Sequence, residues 1–199
     1  MVRLLPLALV IGAAVGPLAP DGTEPHCDLP LEFHVKNVSS RGQGCCTQTS
    51  VGHSARWQEV PALIHMEKWV QEKGLPGGSY PDEMARRIPA CCKDRGYSTA
   101  DFIQVQDKDI EILKLACRTG RMPGVTYSFS PTGRYGGAKI SHMVSLVHAD
   151  DKWFAILDNN YPGSLEWLTP DEFKRTYCGR GDGWAVILLD PGPPPPPSN

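Results

Sequence analysis

The spacing of hydrophobic positions changes once along the chain. From Cys46 to about Arg118 they recur three and four residues apart, in TQTSVGHSARWQ (47–58), ALIHMEKWVQEKG (62–74), PDEMARRIPACCKDRG (81–96) and DKDIEILKLACRTG (107–120), which predicts four helices. Pro81 suits a first helical turn, Asp107 an N-cap, and Gly74, Gly96 and Gly120 suit helix ends. Beyond Gly120 the pattern shortens to RMPGVTYSF (121–129), ISHMVSLVH (140–148), KWFAILD (152–158) and GWAVILL (183–189). These runs are rich in aliphatic and aromatic residues and bounded by Gly, Pro and Asp, which predicts strands. Helices first and antiparallel strands second make an α+β arrangement rather than a parallel α/β sheet.

The two ends differ from this middle. MVRLLPLALVIGAAVGPLAP carries a single Arg3, an apolar run to about Val15, then small residues and prolines. That is the layout of a secretory signal, cleaved near Gly16 to Ala19 or retained as an N-terminal anchor, and the run is short for a membrane span. Residues 1–25 are therefore expected to stand outside the fold and the protein to be exported, to the periplasm, the cell surface or the medium. Membrane contact is expected only if that segment is retained. PGPPPPPSN (191–199) reads as a polyproline II extension, which leaves 26–190 as one domain.

With 199 residues, 41% hydrophobic and 21% charged, the chain can bury a core. Its formal net charge of -2 supplies no field for a phosphate backbone, which sets nucleic acid aside as a partner. Asn37-Val38-Ser39 matches the glycosylation pattern and matters only in a eukaryotic secretory route. Seven cysteines follow the N-terminal segment: Cys27, Cys45, Cys46, Cys91, Cys92, Cys117 and Cys178. In an oxidising compartment an odd number predicts disulfides plus one thiol kept free or an intermolecular bridge. No C-x-x-C pair occurs and the histidines are scattered, so the sequence offers no zinc site.

Candidate chemistry centres on QGCCTQT (43–49). A helix N-terminus and a neighbouring imidazolium both favour a thiolate, so Cys46, on the first helical turn, suits a nucleophile, and Cys45, at the cap, suits a half-cystine. Gln43 carries an amide able to join the Cys46 N–H in holding an oxyanion, or is a solvated loop amide. His142, Val144 and Leu146 share one strand face, and Phe154, Ile156 and Asp158 share one face of the next. A three-residue loop Ala149-Asp150-Asp151 would set His142 opposite Asp158, and a two-residue loop would set it opposite Asn159. Either acceptor can fix the imidazole tautomer. His53, two turns along the Cys46 helix, reads as surface or interhelical packing. Arg134-Tyr135-Gly136-Gly137 reads as an exposed approach to a cleft, in contact with substrate or a plain loop. Plainer readings stand beside these: Cys46 as a half-cystine, His142 as a satisfied core residue, and Asp158-Asn159-Asn160 as strand-end turn chemistry.

In chain order, a helix beginning at Cys, a His on a later strand, and Asp or Asn one hairpin on resemble the papain-like cysteine peptidase superfamily. In layout the chain is similar to the compact peptidase domains of bacteriocin-processing transporters. LKLACRTGRMPGVTY, a GG loop, HMVSLV, ILDNNYPG, TPDEF and GWAVILL carry the likeness over roughly residues 36–190. It implies a papain-like α+β fold, with the nucleophile on the first helix of a helical part and a small antiparallel sheet following. It also implies cleavage of peptide or amide bonds in a protein or peptide substrate by Cys46 and His142, with no metal or organic cofactor. For the orienting residue, the compact domains' spacing points to Asp158, and the papain-like N-S-W-G pattern resembles Asn159-Asn160-Tyr161 with Gly163. Acyl transfer to an amine uses the same groups. The contrasting expectation is a non-catalytic binding module with Cys45 and Cys46 locked in disulfides.

Overall fold

The computed structural model describes residues 18–190; the N-terminal stretch to residue 17 and the Pro-rich tail 191–199 lie outside the described residues. A small hairpin, β1 (Ser39–Ser40) with β2 (Gln43–Gly44), turns through Arg41 and Gly42, both at positive φ, and leads into α1 (Cys46–Trp57). Then come α2 (Met66–Glu72), α3 (Pro81–Asp94), β3 (Phe102–Asp107), α4 (Glu111–Arg118), β4 (Gly124–Tyr127), β5 (His142–Ala149), β6 (Phe154–Leu157), β7 (Leu165–Leu168), α5 (Pro170–Tyr177) and β8 (Gly183–Leu188). The last six strands form one antiparallel sheet in the order β3-β8-β4-β5-β6-β7. Helix and sheet segregate as an α+β fold. Among the described residues, no helix is long and apolar enough to cross a membrane.

Strand alternation divides the sheet between two layers of helices. Val186 and Leu188 pack with Val51, Met66, Val70, Met84 and Ile88 of α1, α2 and α3, while Ala185 and Ile187 pack with Leu113, Phe173 and Tyr177 of α4 and α5. The N-terminal segment covers the α1 side at its other end, where Cys27 and Leu29 meet Val147, Ala155 and Leu157. Residues 18–25 are therefore not wholly outside the fold: Ala19 is buried and Asp21 pairs with Lys152.

Local chemistry sets most helix ends. Pro81 opens α3, TPDEF builds α5 with a reciprocal Thr169–Glu172 capping box, and Gly74, Gly96 and Gly120 take positive φ after α2, α3 and α4. The fourth helix starts later than its sequence suggests. Asp107 ends β3, and its carboxylate accepts the Lys108 and Asp109 N–H groups, so it caps a turn instead of α4. β3 itself, FIQVQD, lies within the half read as helical, and β7, LEWL, was also not foreseen. Both are short edge strands whose pairing partner, not their own pattern, makes them strands.

α1 is buried along most of its length although it is largely polar: Thr47 through Ala55 are all buried. Burial without hydrogen bonds would be costly, and most of the bonds are present, Gln48 Oε1 being the buried side-chain atom of α1 left without one among the described residues. Ser50 Oγ donates to Met143 O (3.2 Å), Ser54 Oγ to Met122 O, and His53 Nδ1 meets Ser145 Oγ (3.1 Å) while its Nε2 accepts Val35 N–H (2.9 Å). His53 is thus an interior strut between helix, sheet and N-terminal segment, not a surface residue.

The expected disulfides are absent: all seven cysteines are free thiols, and Cys27, Cys45, Cys91, Cys92 and Cys117 are buried. They fill the core as small hydrophobes, which accounts for their burial without pairing. Denatured, unreduced protein treated with iodoacetamide should gain seven carbamidomethyl groups by mass spectrometry. Fewer would mean that bridges form.

The stretch Gly77-Gly78 lies against the β1–β2 hairpin, with Gly77 N–H donating to Ser40 O (3.0 Å). A Cβ at Gly77 would stand 2.1 Å from Gln43 O, a backbone atom with little room to yield. Gly77→Ala should destabilise the protein by about 1–3 kcal/mol in urea unfolding, the range for overpacking.

Candidate active site

The tip of α1 is held by backbone and side chain together. Cys45 N–H donates to Val38 O (2.7 Å), and the two hydrogens of the buried Asn159 Nδ2 are shared among Cys46 O (3.1 Å), Ser50 Oγ (3.0 Å) and Met143 O (3.0 Å). Cys46 is the first residue of the helix, so its N–H has no acceptor within the helix and forms part of the dipole's positive end. Cys45 faces the other way, fully buried in the core, where burial raises its thiol.

His142 opens β5 and is paired with Tyr127 of β4, so the sheet fixes its backbone. Asp158 directly follows β6 and is fully buried. Neither hairpin register foreseen from sequence occurs. Ala149 pairs with Phe154, leaving the four-residue loop Asp150–Trp153, and a bulge at Val147 shifts the ladder to Leu146↔Ile156 and Ser145↔Leu157. One step further sets Asp158 across from Val144, hence diagonal to His142 on the same face. From there its Oδ1 accepts His142 Nε2–H at 2.8 Å and Asn160 N–H at 2.9 Å, while Oδ2 accepts the Tyr135 hydroxyl at 2.6 Å. With Nε2 committed to Asp158, Nδ1 is the ring nitrogen left for the Cys46 thiol.

The charges follow from this geometry. Burial alone would raise the Cys46 thiol, but the hydrogen bond and charge of His142 outweigh it, helped by the Met143 backbone and Thr47 hydroxyl, and hold it below its ordinary value. Burial would likewise lower His142, yet Asp158 and Cys46 together push it up to about 9. Asp158 is held below the usual carboxylate range: burial opposes this, and the bonds from His142, Tyr135 and Asn160 prevail. The two partners move in opposite directions, as a thiolate–imidazolium pair requires.

Cys46 and His142 open onto a cavity of about 640 Å³ whose walls include Tyr135, Ser79, Tyr80 and Trp184. Gln43 is exposed and also lines it; its Oε1 accepts Gly78 N–H (3.1 Å), which leaves the amide NH₂ available to the cavity. The Asn159 side chain points to α1 and not to the His142 ring, contrary to the second alternative for the orienting position. Among the described residues, no group of three or more His, Cys, Asp or Glu side chains is arranged to hold a metal ion.

Three further residues, read from sequence as a cleft-approach loop (Tyr135), turn chemistry (Asn160) and a glycosylation pattern (Asn37), take other places in the site. Tyr135 lies in the loop before β5 and reaches Asp158; the flanking glycines were the available signal. Asn160 Nδ2 donates to the Tyr135 hydroxyl (3.0 Å), and its Oδ1 accepts Asn37 Nδ2–H (3.0 Å). Asn37, the residue of the glycosylation pattern, thus has its amide engaged in the site wall.

No family model matches the chain, and no curated protein is similar enough to be matched. Among solved structures, the crystal structure of a provisionally assigned C39-like peptidase from Bacillus anthracis is similar at 14% identity, covering 73% of this chain and 89% of that one, with a TM-score of 0.46. A likeness of that degree transfers neither a residue role nor an activity.

Iodoacetamide should alkylate Cys46 of the native protein with a rate that climbs through a limb below the ordinary thiol range. In His142→Ala only the smaller Met143 backbone and Thr47 hydroxyl contributions still oppose burial, so the limb should move to higher pH. Mass mapping of the modified thiol at stepped pH checks both; a limb that stays put would show that His142 does not set the thiolate.

Proposed function

We propose that the protein is a cysteine peptidase or amidase acting on peptide or amide bonds, with Cys46 as nucleophile, His142 as general acid and base, and Asp158 as the group orienting the imidazole. The observation that carries this reading is the 2.8 Å bond from His142 Nε2 to the buried Asp158 carboxylate, which turns Nδ1 to a helix-start thiol. Nucleophile and base then line one cavity, with the orienter buried behind the base.

The chemistry follows in two halves. Cys46 Sγ attacks the carbonyl carbon, and the C=O electron pair moves onto oxygen. The Cys46 N–H and the Gln43 amide are the donors proposed for that oxyanion. As it collapses, the C–N bond breaks and imidazolium Nδ1 gives its proton to the departing amine. Water enters, Nδ1 takes its proton, hydroxide adds to the thioester carbon, and the C–S bond breaks to restore the thiolate and imidazolium. An amine in place of water makes the same groups an acyl transferase. The binding-module reading is less favoured, because it needs Cys45 and Cys46 in disulfides and both are free. Export, argued from the N-terminal segment, belongs to the same proposal.

Incubation with a mixture of unstructured peptides, read by mass spectrometry for new termini, tests it. Cys46→Ala and His142→Ala should abolish cleavage, and Asp158→Ala should slow it on the order of 10³–10⁴-fold. Asn159→Ala should act chiefly on stability, by about 1–3 kcal/mol, since it frees buried acceptors, and Cys45→Ala should remain active. Cleavage surviving in Cys46→Ala would sink the assignment.

A further inference from the structure

Asp158 lies past the end of β6, where the strand ladder no longer restrains it, and a carboxylate can rotate about its last side-chain bond. Oδ1 carries both the His142 bond and the Asn160 N–H, while Oδ2 accepts the Tyr135 hydroxyl at 2.6 Å. The hydroxyl has one proton. Because it accepts Asn160 Nδ2–H at 3.0 Å, its own hydrogen is directed to Asp158.

We propose that Tyr135 is a positioning residue of this site: its phenol holds Asp158 in the rotation that serves His142, and buried Glu166 anchors the loop that delivers it. The proposal rests on the reading of Cys46, His142 and Asp158 given above.

The loop from Ser130 to Ile140 pairs with no strand; its own backbone closes turns (Gly133 N–H to Ser130 O, Gly136 N–H to Gly133 O, Ala138 N–H to Tyr135 O), with Gly133, Gly136 and Gly137 at positive φ, but does not fix it to the sheet. Glu166 of β7 does. Its Oε1 accepts Ser130 Oγ–H (2.7 Å), Thr132 Oγ1–H (2.6 Å) and Thr132 N–H (3.3 Å), and its Oε2 accepts the Tyr127 hydroxyl (2.5 Å) and faces Arg134 Nε at 3.8 Å. The Tyr135 ring is set edge-on to His142 and to Tyr127, with centroids 6.1 Å and 6.4 Å away. Three groups face the Asp158 carboxylate directly: His142 from β5, Tyr135 from the loop and the Asn160 N–H from its own turn. Cys46 of α1 lies beyond His142, and Tyr127 and Glu166 lie behind Tyr135.

Loss of the phenol would leave Oδ2 buried without a donor and the carboxylate free to turn. His142 would then be a weaker partner for the thiolate. In Tyr135→Phe the alkylation limb of Cys46 should move up by about one pH unit, slowing alkylation at neutral pH about tenfold. Glu166→Gln should move it the same way by less. Tyr161→Phe, which removes an exposed hydroxyl bonded to Arg134 O of the same loop, should leave it in place. Urea unfolding of each variant confirms that folded protein is being compared.

An unmoved limb in folded Tyr135→Phe, a limb displaced to lower pH, or an equal shift in Tyr161→Phe overturns the positioning role. Alkylation needs no substrate, so the two readings fail separately. A wild-type limb at the ordinary thiol value counts against the proposed function, whereas a depressed wild-type limb that persists in Tyr135→Phe counts against Tyr135 alone.

Discussion

A polar helix can be buried only if its side chains find hydrogen-bond partners, and the site depends on how α1 meets that demand. Each bond contributes about 1 kcal/mol net, but an orphaned buried group costs about 1–3 kcal/mol. A turn of α1 about its axis would orphan several at once: Ser50 and Asn159 at Met143 O, Ser54 at Met122 O, and His53 between Val35 and Ser145. The helix is therefore pinned in rotation as well as position, and Cys46 at its tip is aimed with it. Gly52 lets the start of α2 approach, since a Cβ there would sit 3.3 Å from the buried Glu67 carboxylate.

The same economy governs the charges. A carboxylate as buried as Asp158 is tolerable only with its oxygens satisfied and a cation beside it, and the cation here is the imidazolium. The consequence for stability is a bounded pH window. Asp158 is depressed in the folded state, so its contribution is present above the ordinary carboxylate value of 3.8 and is lost as pH falls through the lower folded value. His142 is raised, so its contribution is full below 6.5 and is lost as pH rises through about 9. Between those limits the pair reinforces the thiolate and the fold together.

Much of this was legible in the sequence because it is local chemistry. Helix stops at Gly74, Gly96 and Gly120 need only the glycine backbone, the α5 start needs only TPDEF, and a thiol at a helix start or a histidine opening an apolar strand can be seen without coordinates. β3 and β7 were missed because short edge strands owe their form to a neighbour, and His53 was misplaced because its burial comes from three elements meeting. Disulfides were expected from a count, whereas thiol burial is decided by what packs around each sulfur.

The sequence by itself determined which residue types were available for the site and on which kinds of element they stood: Cys46, His142, Asp158 and Asn159 all came from period and order. Tertiary structure decided which of them meet. A four-residue turn and a bulge at Val147 displaced the ladder, set Asp158 diagonal to His142, and sent Asn159 to the helix. Local propensity cannot encode that choice, because a strand's period is two and a slip of one residue exchanges its faces; packing on both sides of the sheet selects the register.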